Sequence, residues 1–123
     1  MILADTSIWI GHLRRGDERL AQLLEAGQVL THPHVIGELA LGSLKNRRTV
    51  LEALQNLPAA PVARDDEVLA FIDANALFGL GIGYIDGHLL AATRLAAGTT
   101  LWTRDRRLHE AATRLRLAQD VAH

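Results

Sequence analysis

Four acidic residues stand beside apolar segments of the sequence: Asp5, Glu38, Asp86 and Asp105. Asp5 follows the apolar residues 1–4 directly, and Asp105 lies two residues beyond another apolar stretch. Two carboxylates about 4 Å apart repel each other by roughly 1–4 kcal/mol, so a cluster of four requires a compensating charge. Mg²⁺ and Mn²⁺ prefer oxygen ligands, bind phosphate and activate water. If the four acids converge, they therefore predict a divalent-metal site.

The elements that position these acids follow from the hydrophobic pattern. Short apolar segments predict strands at residues 1–4, 28–31, 60–62 and 99–103, with the C-terminal tail a candidate fifth. Helical spacing and capping residues predict helices at residues 7–13, 17–26, 33–42, 45–57, 65–80, 85–97 and 105–115. Ser7, Asp17, and either Thr31 or His32 are the expected N-caps of the first three helices.

Strands that alternate with helices predict an α/β fold of three layers, with a central parallel sheet of four to five short strands flanked by helices. Ligands of such sheets bind beyond the carboxyl ends of the strands. Asp5 and Asp105 lie at strand ends, Glu38 lies on the helix after the second strand, and Asp86 begins a helix after the loop GLGIGY. We therefore expect the four acids to meet in one cleft.

Composition narrows the class of protein. The 123 residues suit one domain, residues 1–123, and an apolar fraction of 49% is sufficient for a hydrophobic core. The absence of cysteine excludes disulfides and thiolate metal sites. The net charge of −1 gives no overall attraction to nucleic acid. Without a signal segment or an apolar stretch of about 18 residues, we expect a cytoplasmic protein that makes no contact with membranes.

The segments that carry the acids resemble a known family. ILADTSIWI, HVIGELALG, YIDGHLLAAT and LWTRDRRL are similar, in this order, to the acidic motifs of PIN domains, and more closely to those of VapC toxins from toxin–antitoxin pairs. The resemblance implies a PIN-like fold with Mg²⁺- or Mn²⁺-dependent ribonuclease activity. It also implies that Asp5, Glu38, Asp86 and Asp105 form the catalytic metal site, and that the hydroxyls of Ser7 and Thr103 support it.

The resemblance implies a reaction and a set of partners. The expected reaction is hydrolysis of an RNA phosphodiester with water as nucleophile, which leaves a 5′-phosphate and a 3′-hydroxyl. The expected partners are RNA, a VapB-type antitoxin and a second copy of the chain, with larger toxin–antitoxin assemblies. The helices at 65–80 and 85–97 offer apolar faces for a homodimer, and the first helix, with Ile8, Trp9, Ile10 and Leu13, offers a groove for the antitoxin.

Basic residues flank two of the acids. Arg14 and Arg15 follow the first helix, while Arg104 and Arg106 stand on either side of Asp105. An acidic cleft requires positive charge at its rim in order to hold a polyanion. These four arginines are therefore candidate contacts for RNA phosphates.

Several alternatives stay open at this level. Asp5 and Asp105 are also suitable helix N-caps, and Asp86 suits the positive end of a helix dipole. His32, His34 and Glu38 could form a zinc site, because His34 and Glu38 share a helix face. A phosphatase or phosphoacceptor with an acidic α/β site, and a binding module that kept the fold without catalysis, are the other functions considered.

Overall fold

A computed structural model describes residues 1–120, so the last three residues, including His123, lie outside the described part of the chain. Three short strands form a parallel sheet: β1 (Ile2–Ala4), β2 (Val29–Leu30) and β3 (Thr100–Trp102). Their order is β2-β1-β3, which places the first strand in the centre. All three strands point the same way, so their carboxyl ends open on one edge. The predicted α/β fold with a central parallel sheet is confirmed.

Helices connect and cover the strands. They are α1 (Thr6–Arg15), α2 (Glu18–Glu25), α3 (Pro33–Ala40), α4 (Arg47–Gln55), α5 (Asp65–Ala74), α6 (Tyr84–Leu95) and α7 (Arg106–Arg114). Helices α1, α3 and α7 follow the ends of β1, β2 and β3 within a few residues. None of the helices in residues 1–120 is both long enough and apolar enough to cross a membrane.

The sheet has fewer full strands than the sequence predicts. The expected strand at residues 60–62 is reduced to a single parallel bridge between Thr31 and Ala59, and the expected fifth strand to a bridge between Leu101 and Ala118. At the first bridge the Thr31 N–H donates to the Pro58 carbonyl and the Ala60 N–H donates to the Thr31 carbonyl. The next donors of the ladder in the two directions would be Pro58 and Pro33, which have no backbone N–H, so pairing stops at one bridge. Each bridge still adds one residue beside an edge of the sheet: Ala59 pairs with Thr31, next to β2, and Ala118 pairs with Leu101 of β3.

Two helix boundaries also differ from the prediction. Asp5, rather than Ser7, is the N-cap of α1, because its carboxylate accepts a hydrogen bond from the Ile8 N–H at 3.3 Å. Helix α5 ends at Ala74 rather than near residue 80, since Ala76 adopts a left-handed backbone conformation with φ of 51°. The side chain of Arg114 donates to the carbonyls of Asn75 and Ala76 at 2.9 and 3.1 Å, and so secures this turn from α7.

The core lies around the central strand. Leu3 and Leu101 are fully buried, as are Leu90 of α6 and Leu108 of α7, while Trp102 is 1% exposed. Burial of one large apolar side chain stabilises a fold by roughly 1.5–3 kcal/mol. The edge of the sheet that carries Asp5 is therefore held by the best-packed part of the molecule, and a polar group attached there is held in a fixed position.

Candidate active site

Asp5 is buried at the end of the central strand, with only 6% of its surface exposed. Its Oδ1 accepts hydrogen bonds from the Ser7 hydroxyl at 2.5 Å and from the Ile8 N–H, and its Oδ2 accepts one from the Thr103 hydroxyl. Burial raises the pKa of the Asp5 carboxyl above its ordinary value, and these hydrogen bonds oppose that rise. The carboxylate is thus fixed in place by neutral donors.

Thr103 connects Asp5 to the fourth acid. While its hydroxyl donates to Asp5, the same oxygen accepts a hydrogen bond from the Asp105 N–H at 3.0 Å. Ser7 makes a parallel link, since its hydroxyl oxygen accepts from the Arg104 N–H at 3.0 Å. The two hydroxyls therefore join the loop after β3 to the loop after β1. Asp105 itself caps α7 by accepting from the Leu108 N–H at 3.1 Å.

Glu38 is exposed on α3 and is oriented by a residue that the sequence analysis did not single out. The Thr6 hydroxyl donates to Glu38 Oε1 at 2.6 Å, so α3 is linked to the start of α1 beside Asp5. The position of Thr6 between Asp5 and Ser7 is the only signal in the sequence that could have indicated this role.

Asp86 is the acid whose pKa the charges of the other three acids raise. Its Oδ2 accepts a hydrogen bond from the Gly83 N–H at 3.1 Å, which fixes the start of α6. Burial raises the pKa of the Asp86 carboxyl, and the nearby charges of Asp5, Asp105 and Glu38 raise it further. The structure therefore brings all four predicted acids within electrostatic reach of one another, from four different elements.

None of the four acids forms an ion pair with a lysine, arginine or histidine among residues 1–120. In the same range, no three side chains of His, Asp and Glu are placed to coordinate one ion as they stand. The zinc hypothesis also fails on the histidines, because His32 is fully buried and its Nδ1 accepts from the His34 N–H at 3.0 Å. The acid cluster instead suits an ion such as Mg²⁺, which takes one or two carboxylates and keeps several waters.

The caps and the acid cluster are compatible roles. Asp5 and Asp105 do cap α1 and α7, as the alternative interpretation of the sequence expects. Each cap uses Oδ1 to accept a backbone N–H. A carboxylate has about four lone-pair positions, so capping does not prevent it from binding a cation as well.

The four predicted RNA-contacting arginines are placed differently from one another. Arg14 and Arg15 are exposed at the end of α1, and Arg106 is exposed at the start of α7 near Glu110. Arg104 forms an ion pair with Asp17 at 3.3 Å, and its guanidinium lies 3.1–3.4 Å from where a Cβ on Gly11 would stand. Arg104 therefore secures the loop before Asp105 against α1 and α2.

The four side chains of α1 that were predicted to form an antitoxin groove differ in exposure. Ile8 and Trp9 are buried in the core, whereas Ile10 and Leu13 line a cavity of about 400 Å³. Arg14 and Glu38 also line this cavity, together with residues of α3, the following loop and α4. The apolar cavity thus runs up to one of the four acids.

The site and fold define a class of protein that comparison with known families confirms. The family model for the PIN domain matches residues 2–114, so the chain belongs to the PIN-domain family. Ribonuclease VapC32 of Mycobacterium tuberculosis, from strains CDC 1551 / Oshkosh and ATCC 25618 / H37Rv, is 48% identical over 99% of this chain and 100% of its own length. Within the PIN-domain family, the chain is therefore a member of the VapC ribonucleases, the toxins of VapBC toxin–antitoxin systems.

Proposed function

We propose that this chain is an endoribonuclease that depends on Mg²⁺ or Mn²⁺ and whose catalytic residues are Asp5, Glu38, Asp86 and Asp105. The observation that carries the proposal is the set of hydrogen bonds that joins the acids: Thr103 links Asp5 to Asp105, and Thr6, which follows Asp5, donates to Glu38. The repulsion of the other three carboxylates, together with burial, raises the pKa of Asp86. A divalent cation among the four would remove that repulsion. A phosphatase, a phosphoacceptor or an inactive binding module does not agree with membership of the VapC ribonucleases.

A bound divalent ion would supply positive charge that activates water and stabilises the charge developing on the phosphate oxygens. Asp5, held by Ser7 and Thr103, provides the most rigid carboxylate of the four. Asp86 engages Gly83 through Oδ2, which leaves Oδ1 as the oxygen that orients the attacking water and accepts its proton. This reaction leaves a 5′-phosphate and a 3′-hydroxyl.

The rim supplies contacts to the RNA backbone. Arg14 lines the cavity beside Glu38, Arg15 is exposed at the end of α1, and Arg106 is exposed directly after Asp105. Each can neutralise an RNA phosphate. Arg104 acts mainly through its ion pair with the Asp17 carboxylate, and only its outer face is available to RNA, since its side chain is 35% exposed.

The partners follow from the same surfaces. We assign the cavity lined by Ile10, Leu13 and Glu38 to a segment of a VapB-type antitoxin that brings an apolar face and a basic group. A second copy of the chain covers Leu69 on α5 and Leu95 at the C-terminal end of α6, which are 58% and 55% exposed. Larger toxin–antitoxin assemblies, a single domain at residues 1–123 and a cytoplasmic location belong to the same proposal.

Expression of the chain alone tests this function. We expect growth arrest in bacteria, because an uninhibited ribonuclease cuts cellular RNA. Asp86→Ala should relieve the arrest, whereas Asp73→Ala, a change of an exposed acid on α5, should not. The RNA fragments should carry 5′-phosphates, which direct ligation detects. Fragments with 5′-hydroxyls, or an arrest that persists with Asp86→Ala, would refute the proposed chemistry.

A further inference from the structure

Three aromatic rings pack one against the next in the order Tyr84, His88 and His34. We call these three rings the aromatic row. The centroids of Tyr84 and His88 are 4.8 Å apart, and those of His88 and His34 are 4.5 Å apart. Both pairs meet edge to face, with interplanar angles of 83° and 77°. Each ring is thus held at a defined angle by its neighbour.

The row is anchored at its Tyr84 end by one carboxylate. Asp65 Oδ1 accepts a hydrogen bond from the Tyr84 hydroxyl at 2.6 Å and lies 2.9 Å from His88 Nε2. The hydrogen bond to Asp65 raises the pKa of Tyr84 to about 12, so the phenol stays a neutral donor. His88 is 2% exposed and forms the wall behind the tyrosine ring.

Tyr84 nevertheless keeps much of its surface open, being 45% exposed. A ring that is fixed on one side and open on the other loses little conformational entropy when a flat ligand covers it. The two tryptophans cannot play this part, because Trp9 is 4% and Trp102 is 1% exposed. Phe78 is 66% exposed, but within the described residues it has no ring partner or anchoring hydrogen bond.

The aromatic row stands next to the proposed catalytic acids. His34 lies four residues before Glu38 on α3, which is about 6 Å along a helix axis. Tyr84 is the first residue of α6, two residues before Asp86. Residues two apart on a helix point to different sides, so the row reaches the acids through His34, which shares a face of α3 with Glu38. From His34 the rings of His88 and Tyr84 follow at centroid spacings of 4.5 and 4.8 Å. A nucleotide that flanks a phosphodiester bound at Glu38 can therefore extend along the row to Tyr84.

We infer that the open face of Tyr84 stacks on an unpaired base of single-stranded RNA, next to the phosphodiester that is cut. The inference rests on the proposed function, because it takes the acids as the place where the phosphodiester binds. Stacking on an aromatic ring tolerates every base, since all four have a π-face. Bases inside an RNA duplex are covered by their neighbours, so the surface selects single strands.

Fluorine NMR tests the contact directly. The sequence has a single tyrosine, so 3-fluorotyrosine labels the full chain at Tyr84 alone. We use the Asp105→Asn variant to prevent cleavage and titrate it with a short single-stranded oligoribonucleotide. The ring current of a stacked base should shift the fluorine resonance, while an oligomer of the same length made of abasic residues should not shift it.

Two matched variants in the Asp105→Asn background give the energetic test. Tyr84→Leu keeps an apolar side chain but removes the ring, and should raise the dissociation constant for the oligoribonucleotide at least about fivefold. Its affinity for the abasic oligomer should not change, because no phosphate contact is lost. Phe78→Leu, which removes the unanchored ring, should bind both oligomers as the background does. The melting temperatures of the variants verify that each is folded.

The outcomes separate this inference from the proposed function. The stacking inference is wrong if the parent chain cuts RNA but Tyr84→Leu binds the oligoribonucleotide as tightly as the Asp105→Asn background does. It is also wrong if the oligoribonucleotide and the abasic oligomer shift the fluorine resonance equally. If the bases shift the resonance but the parent chain with Mg²⁺ or Mn²⁺ leaves RNA intact, the proposed function is wrong and the stacking contact stands.

Discussion

The hydroxyl of Thr103 donates a hydrogen bond to Oδ2 of Asp5, joining two residues that are 98 positions apart in the sequence. The same hydroxyl oxygen accepts the N–H of Asp105. One side chain therefore fixes the distance between the loops that follow β1 and β3. Two of the four acids depend on it for their placement.

Replacing Thr103 tests this coupling. Thr103→Val keeps the shape but leaves the Asp5 carboxylate and the Asp105 N–H without that partner. We expect a loss of about 1–3 kcal/mol in the free energy of unfolding, because a buried polar group is left unsatisfied. We also expect slower RNA cleavage. Thr103→Ser restores the hydroxyl and should recover most of both. Urea unfolding and a cleavage assay measure the effects, and a Thr103→Val variant as stable and active as the parent would contradict the coupling.

The buried carboxyl of Asp5 predicts a pH dependence of stability. Its folded-state pKa is raised above the ordinary value of 3.8, so the folded chain binds this proton more tightly than the unfolded chain does. Its stabilising contribution is therefore complete below pH 3.8 and is lost as the pH rises through the folded-state pKa. Without metal, ionised Asp5 should destabilise the fold at neutral pH.

Asp5→Asn isolates this effect, because asparagine still caps a helix but carries no charge. With EDTA present, the variant should melt at a higher temperature than the parent at pH 7, and the difference should shrink as the pH approaches 3.8. Thermal unfolding followed by circular dichroism over this range measures it. A large loss of stability at pH 7 would show that the capping geometry outweighs the cost of the buried charge.

The glycine loop before Asp86 yields a third prediction. Gly81 has a φ of 77°, and a Cβ placed there would clash with the guanidinium of Arg107. Gly79 has a similar φ of 74°, but a Cβ there would meet nothing within 4 Å. Both changes to alanine carry the left-handed penalty of roughly 1–2 kcal/mol. Gly81→Ala should cost more stability than Gly79→Ala, because it also displaces Arg107.

Arg107→Ala provides the control for this comparison. In that background the extra cost of Gly81→Ala should disappear, leaving the two alanine variants about equal. A double-mutant cycle by chemical denaturation measures the coupling. If the extra cost persists without the Arg107 side chain, the contact between Gly81 and Arg107 does not constrain the loop.

Much of this arrangement could be predicted from the sequence. The apolar residues before Asp5 indicate a buried strand. Asp17 was expected to cap α2 and either Thr31 or His32 to cap α3, and in the structure the caps are Asp17 and His32. Local signals of this kind act within a few residues, so the order of strands and helices follows from them. The convergence of the acids follows in turn from the shared edge of a parallel sheet.

Other features depend on contacts between distant segments and leave no local signal. Thr6 resembles any residue at the start of a helix until α3 brings Glu38 within 2.6 Å of its hydroxyl. The predicted contact of Arg104 with RNA did not anticipate its ion pair with Asp17, which lies 87 positions away in the sequence. Arg114 of α7 likewise donates to the turn at Asn75 and Ala76, where α5 ends six residues earlier than the sequence predicts.

The central claim is that the cleavage of RNA depends on a divalent metal ion bound by the four acids. The most direct test is the rate at which Asp86→Asn cuts single-stranded RNA in Mg²⁺ or Mn²⁺, with Asp73→Asn as the control. The rates are measured again after EDTA is added. Because Asp73 is exposed, Asp73→Asn should cut RNA at the same rate as the parent. Asp86→Asn should be slower by at least about 100-fold, a typical effect of removing one group that stabilises a transition state. EDTA should stop the parent, and added Mn²⁺ should restore it. Undiminished cleavage in EDTA, or an Asp86→Asn variant as fast as the parent, would contradict a metal-dependent site built on the four acids.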